Sequence, residues 1–569
     1  MVPRSGSYVS RGRGARGGAG GLQCRRAVRE PLLVLQDRCG VLGLGGNPGP
    51  PRARGGTCGI PRHRPVTPPR LTFAATVAVT CLGHLGAVTY EVVVARQFGT
   101  TLDADALALA LTVALTLANE IVGWIATLLV PWYVRAEALG GSHGATRFVR
   151  RSVAAVVGGT LPAALALAVG AAPLAGLLAP RPVVEDLAAR LLRLFAPLMV
   201  LMPLVAVLGG VLQARERFVA ASARPVFWYG GALLGLGGFG AALGAAAVPL
   251  GIVGGLILYG GLLLALIAAT GRPAAATGLA SGAEPVGPAA LWPLAVVSVA
   301  NYVNVGVERA VAARLPAGSL AALTYAFRLL VFPLNLFVLN ATTMFFTPLA
   351  RLAAHGELGE VERRVERALR LALVVTGPLA ALAAALAGPA VRVVLERGAF
   401  TEHSTSTTAR ALALYAPAVI GMAAVHVLSR AYQALQEIAG LAWTGLAAIG
   451  VNICLMLVLP ALVGFPGLPI ATSVNWILLA VLMALALRRR LPGLDLGRVG
   501  RSAGHVVVAG TAAGTAAWLA SGGWDAGIVG LTLGTAAGVV AYGLVMAVLA
   551  REDTRIAWRF LLGGRAASA

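Results

Sequence analysis

Lysine is absent from this chain, and all 46 basic residues are arginine. Without lysine there is no phosphate-binding loop ending in Gly-Lys, so the glycine-rich runs do not form a Walker motif. No Gly-x-Ser-x-Gly elbow occurs either. Five cysteines (Cys24, Cys39, Cys58, Cys81 and Cys454) show no metal-ligand spacing, and three of them precede the first long apolar run. No disulfide framework and no metal site are expected from them. Acidic residues number only 23, which leaves a net charge of +23. These absences leave no catalytic constellation, so an enzyme is not expected. Nor is ATP-driven transport by this chain alone expected.

What the sequence has in excess is apolar length. About 20 apolar residues cross a bilayer as a helix. Fourteen such segments can be drawn, at 72–95, 105–133, 152–178, 188–213, 225–246, 248–270, 289–312, 319–347, 366–391, 406–435, 438–463, 465–487, 502–521 and 526–550. Arginine then falls almost entirely in the tails and the even-numbered connections, as at Arg147, Arg150 and Arg151, or at Arg488, Arg489 and Arg490. The odd connections hold only Arg96, Arg181, Arg314, Arg392 and Arg397. The positive-inside rule therefore predicts cytoplasmic N and C termini in a multi-pass protein of the cell membrane. The basic residues are read as topology signals and contacts to anionic membrane lipid, not as a nucleic-acid surface, because no aromatic residues interleave with them. Residues 1–70 are rich in Gly, Pro and Arg without apolar periodicity, and a disordered basic cytoplasmic tail is expected there.

An internal repeat organises the spans. Ala189-Arg190, Ala196-Pro197 and Gln213-Ala214 recur 220 residues later as Ala409-Arg410, Ala416-Pro417 and Gln433-Ala434. Ala95-Arg96 recurs as Ala313-Arg314 at an offset of 218. Spans four and ten run in the same direction, so the repeat is parallel, and a substrate site between the two halves follows. The expected fold is an all-α polytopic membrane protein of 14 transmembrane helices. It comprises a six-helix bundle over 71–285, a second over 286–490, and two extra helices with a cytoplasmic tail over 491–569.

Ionisable residues inside spans mark candidate sites because they are costly in lipid. They are Glu91 in span one, Glu120 in span two, Glu308 and Arg309 in span seven, and Arg328 in span eight. The repeat register makes Glu91 and Arg309 equivalent, so the two are expected to meet across the central cleft. No sequence neighbour offers a partner to Glu120 or Arg328. Arg190, Arg410 and Arg430, near span ends, are expected to snorkel. Pro131, Pro197, Pro333, Pro348, Pro378 and Pro417 are expected to interrupt their helices.

Several ordered stretches resemble one known family. They are Glu91–Gly99 with Asp105-Ala106, Gly209–Pro225, Tyr325-Ala326 with Arg328-Leu329 and Phe332-Pro333, Arg397–Phe400, Leu428–Ala431 and Gly467–Ser473. In this order they resemble the MurJ/MviN lipid II flippases over about 71–490. The resemblance implies a multidrug/oligosaccharidyl-lipid/polysaccharide exporter fold. It implies movement of an undecaprenyl-linked peptidoglycan precursor from inner to outer leaflet by alternating access, with Arg328 on the headgroup. Arg309, Glu91, Glu120 and Glu308 are expected to complete that site. The expected partners are a lipid-linked glycan precursor and membrane lipid, with no nucleic acid and a monomeric chain. No cofactor is expected beyond a coupling ion of unknown identity.

The chain departs from the family where Tyr90 replaces a span-one arginine, Leu117-Ala118 an arginine pair, Val122 a glutamate and Phe327 an aspartate. Two other readings therefore stand beside the flippase. One is a cation-coupled exporter of a small amphipathic product using Glu120. The other is a non-transporting membrane scaffold.

Overall fold

The computed structural model describes residues 70–179, 181–215, 217–269, 292–334, 349, 352–353, 356–435, 437–523 and 527–555. The expected disordered tail before Arg70 and the expected kink at Pro348 lie outside the described residues. Every described element is helical, as lipid requires of a chain that cannot leave backbone groups unpaired. The first set is α1 (Arg70–Phe98), α2 (Leu102–Val169), α3 (Ala171–Leu178), α4 (Pro182–Phe195), α5 (Leu198–Ala214), α6 (Phe218–Ala221), α7 (Arg224–Leu243) and α8 (Ala247–Ala269). The second set is α9 (Trp292–Arg314), α10 (Ser319–Leu334), α11 (Leu358–Ala385), α12 (Ala387–Leu395), α13 (Glu402–Tyr415), α14 (Ala418–Ala434), α15 (Ile438–Val463) and α16 (Gly467–Arg488). A final hairpin is α17 (Leu496–Ser521) and α18 (Ile528–Leu549).

By length and apolarity, ten described helices can cross a membrane, or eleven with the bent pair α13–α14. The described residues do not by this measure confirm the expected count of fourteen. Arg224–Ala269 registers as one stretch of 46 residues, although a 3-10 turn at Gly244–Ala246 separates α7 from α8 within it. The polar helix α9 and the shorter α10 are not among the ten. Within α2 the helix runs on through Pro131. The non-helical residue is Gly141, at φ 56° and ψ −152°, a conformation that an L side chain rarely adopts. The interruption between the second and third expected spans thus falls at glycine rather than at proline.

The repeat reappears as backbone. The bounds of α4 and α5 differ from those of α13 and α14 by 220 at every end. Both pairs break at Ala-Pro, the second with a bend of 44°, because Pro197 and Pro417 lack the N–H that would continue the ladder. Pro333 and Pro378 stay inside helices α10 and α11.

One face of the molecule is tied together across the two sets, and it is the face carrying the odd-numbered connections. A single apolar core there joins α1, α2 and α4 to α10, α12 and α13, with Leu107, Phe195, Leu320 and Phe400 all buried. Toward the even connections the core divides. Leu129, Tyr133 and Val211 form a cluster within the first set, while Val365, Leu428 and Leu487 form another within the second.

Helices α17 and α18 pack on α11 through Val506, Ala513 and Tyr542, whose hydroxyl donates to the Val374 carbonyl at 3.0 Å. A buried ionic cluster fixes them. Arg370 Nε donates to Asp553 Oδ1 at 2.7 Å and Ser502 Oγ to Asp553 Oδ2 at 2.6 Å. Glu552, beyond the end of α18, accepts from Arg370 Nη2 at 3.0 Å, and that hydrogen bond holds its carboxyl below the usual carboxylate range.

Candidate functional site

Two helices of each set meet where the spans carry their charge. Arg328 on α10 is paired with Glu91 on α1, across 237 residues of sequence. The second oxygen of that carboxylate, Glu91 Oε2, is buried without a hydrogen-bond partner. The Glu91 side chain is 13% exposed and the Arg328 side chain 30%, so the pair is largely withdrawn from solvent with the guanidinium still reachable. Such a pair compensates a charge that would otherwise be costly within a span.

The expected meeting of Glu91 and Arg309 does not occur. Arg309 Nη2 lies 4.0 Å from Glu308 Oε1, its neighbour in sequence. Its Nη1 donates to Thr324 Oγ1 at 3.4 Å, and its Nε is buried without a partner. Equivalent positions in a parallel repeat share a depth, but that does not make them adjacent. The partner of Glu91 is instead supplied by α10, one helix further on.

Glu120 on α2 is held by neutral donors from α9. Ser298 Oγ donates to its Oε2 at 2.8 Å and Asn301 Nδ2 to its Oε1 at 3.4 Å. Both residues read as partnerless in sequence, Glu120 and Arg328, therefore have partners from the opposite helix set.

Arg328, Arg309 and Glu308 line a cavity of about 370 Å³. Thr112 contributes from α2, but the remaining wall comes from the second set, including Tyr415, Asn452 and Thr472. The site was expected between spans one, two, seven and eight. No residue of α1 or Glu120 is part of the wall, and α15 and α16 supply much of it. The asparagines escaped the sequence reading because they carry no charge. Their signal was the i, i+3 spacing of Asn301 and Asn304, which puts both on one helix face.

The departures from the family pattern are filled by packing residues. Tyr90 is 2% exposed and rests against Tyr229, with ring centroids 5.8 Å apart. Ala118 is fully buried. Phe327 lines the cavity and meets Tyr415 edge to face at 5.6 Å.

The closed face has its own polar joint, which the sequence did not reveal. Asp105 on α2 is 6% exposed and accepts from Gly318 N at 2.7 Å and Ala321 N at 2.8 Å. It thereby caps α10 from the other helix set, satisfying donors that a helix start leaves free. Thr100 and Ser404 hydroxyls lie 2.7 Å apart, and Arg181 Nη2 donates to the Leu315 carbonyl at 2.8 Å. Gly318, at φ +81°, lies so close that a Cβ would sit 2.2 Å from the Thr100 carbonyl oxygen. Gly99, at φ +55°, would place a Cβ 2.3 Å from the Ala399 carbonyl oxygen. Only glycine allows the two backbones this approach.

The sequence profile of the family described as Lipid II flippase MurJ matches residues 94–538. A probable lipid II flippase MurJ of Buchnera aphidicola subsp. Acyrthosiphon pisum (strain APS) is 30% identical over 148 residues. That stretch is 26% of this chain and 29% of the relative's length. One of Synechocystis sp. (strain ATCC 27184 / PCC 6803 / Kazusa) is 27% identical over 388 residues, covering 65% of this chain and 72% of that one. Among solved structures, one described as lipid II flippase MurJ in an inward closed conformation superposes with a TM-score of 0.66 at 19% identity, over 84% of this chain and 99% of that one. An inward-facing multidrug transporter of the MATE family, in the MOP superfamily, gives 0.61 at 12% identity, over 74% and 98%. Both likenesses are of fold.

Proposed function

This chain belongs to the lipid II flippase MurJ family, and from that premise we propose that it carries an undecaprenyl-linked peptidoglycan precursor from the inner to the outer leaflet by alternating access. The observation that carries the proposal is the pairing, across the two helix sets, of Glu91 with Arg328, whose side chain also lines a cavity walled mainly by the second set. A guanidinium is a planar fork of donors suited to a phosphate. Glu91 occupies it until an anionic headgroup replaces the carboxylate. The single core at the odd face and the divided cores toward the even face support a state closed on one side only. The arginine-rich even connections orient the divided side toward the cytoplasm, where such a precursor is made. In this reading α1–α8 and α9–α16 are the two rocking halves, and the α17–α18 hairpin rides on the second.

The test is replacement. A strain depleted of its own lipid II flippase is expected to grow normally on this chain. Lysis despite normal membrane abundance would sink the flippase reading. Orientation is tested separately by labelling single cysteines from outside. Val183 is 63% exposed and the Glu402 side chain 84%, both beside odd connections. Cysteines at 183 and 402 are expected to react, while cysteines at 143 and 358 react only after permeabilisation. Reaction of the latter pair in intact cells reverses the topology.

One observation favours a second reading. Glu120 is a carboxylate within a span whose hydrogen bonds come from the neutral donors Ser298 and Asn301. That suits a cation-coupling site, and an exporter of a small amphipathic product would show flux that depends on Glu120 without any lipid-linked substrate.

A further inference from the structure

Helices α4 and α5 together form one span of 33 residues, about 50 Å at 1.5 Å per residue. The hydrocarbon core takes only about 30 Å of that length. The cytoplasmic end is pinned by Arg215, whose Nε donates to the Tyr133 hydroxyl at 3.1 Å and whose Nη1 donates to the Ile267 carbonyl at 3.1 Å. Counting back the roughly 20 residues that fill the core leads to Phe195, and no charged residue lies between Phe195 and Ala214. The charged part of α4 therefore stands at the level of the outer headgroups.

That helix has two faces. Val184, Ala188, Leu191, Leu192 and Phe195 are buried against the bundle. Asp186, Arg190 and Arg193 are exposed on the other side. Their spacing of four and three residues stacks them on one face, with neighbouring Cβ atoms about 5–6 Å apart. Among the described residues neither arginine has a hydrogen bond or an ion pair, and Asp186 makes none with Arg190. Arginine on this side of the membrane runs against the orientation signal that the even connections obey. The repeat does not account for it. Arg190 recurs as Arg410, but the equivalent of Arg193 is Ala413. The pair belongs to the first helix set alone.

Two unpaired guanidiniums one turn apart gather positive charge where outer-leaflet phosphates lie. We propose that the exposed face of α4 is an outer-leaflet site for the diphosphate of the lipid cargo, held by Arg190 and Arg193 once the headgroup has left the cavity. The proposal rests on the reading that the cargo is a diphosphate-linked lipid. Each guanidinium offers one planar fork, so the two match the two phosphates in number. A diphosphate also carries more charge than the single phosphate of a glycerophospholipid, which favours it over bulk anionic lipid. Asp186, one turn further out, repels an anion and keeps the site weak enough to let the lipid go. An occupied site holds the flipped headgroup outside and opposes its return.

The test counts undecaprenyl diphosphate on the purified full chain by native mass spectrometry. Two molecules per chain are expected. The double variant Arg190→Gln/Arg193→Gln, at exposed positions, is expected to keep one and to weaken the other about tenfold. Arg328→Ala is expected to remove the one that remains. Asp186→Asn is expected to tighten the α4 site severalfold, which a purely structural role of the arginines would not do. Binding unchanged in the double variant overturns the α4 site and leaves the cavity reading intact. Equal competition for that site by phosphatidylglycerol overturns its selection of the diphosphate. A single bound molecule that depends on Arg190 and Arg193 but not on Arg328 supports the α4 site and overturns the cavity reading. Absence of any binding overturns both.

Discussion

Arg328→Ala is expected to abolish growth of the flippase-depleted strain and to weaken binding of undecaprenyl diphosphate about 100-fold. The figure follows from two charge-assisted hydrogen bonds of roughly 1.5–3 kcal/mol each, reduced for partial exposure. Arg328→Lys keeps the charge without the fork, and partial activity is expected. Glu91→Gln should act in the opposite sense on binding. With the resident carboxylate gone, the anionic headgroup no longer has to displace it, so affinity rises about tenfold while transport falls because release slows. A merely structural ion pair behaves otherwise. Breaking a buried pair costs roughly 3–5 kcal/mol from whichever side it is broken, so both single variants would lose abundance and the double variant Glu91→Gln/Arg328→Gln would regain it. Opposite shifts in lipid affinity support the site. Parallel losses of abundance with restoration in the double variant reduce the pair to scaffolding.

Asp105→Ala should release the closed face. The carboxylate crosses between the helix sets to two backbone N–H groups at the start of α10. Its loss leaves them without their acceptor at a cost of order 3 kcal/mol, enough to shift a two-state equilibrium about 100-fold. The neighbouring hydroxyls of Thr100 and Ser404 report the change. With Thr100→Cys and Ser404→Cys, a cross-link is expected to form readily and to arrest transport. Adding Asp105→Ala is expected to lower the cross-linking yield severalfold. An undiminished yield means that the apolar core and the glycine contacts hold this face without Asp105.

The helices were legible because lipid enforces a coarse code. Twenty apolar residues make a span, and arginine declares its sidedness. The repeat was legible for a related reason: Pro197 and Pro417 break the backbone in the same way wherever they stand, so matching residues gave matching helix ends. Which side chains meet was not legible. Glu91 and Arg328 are far apart in sequence, and the repeat register pointed Glu91 to Arg309 instead. Shared depth says nothing about the rotation of each helix about its own axis. The neutral wall of Asn304, Asn452 and Asn475 carries no charge to mark it in sequence, so nothing there sets it apart from a packed helix face. Asp105 was visible as part of a motif, but its partners are backbone N–H groups, which leave no mark in sequence.

The ionic cluster at Arg370 decides where this polypeptide can be cut or extended. Asp553 comes only a few residues after the last helix, yet its carboxylate balances a guanidinium buried on α11 and is braced by Ser502. A shortened chain ending at Leu549 would keep every span, yet leave the buried Arg370 with Glu366 alone at 3.4 Å and without the carboxylates that tie it to the hairpin. Fusions and affinity handles therefore belong beyond Arg555, and the acidic pair Glu552-Asp553 works as a structural endpiece rather than as a dispensable tail.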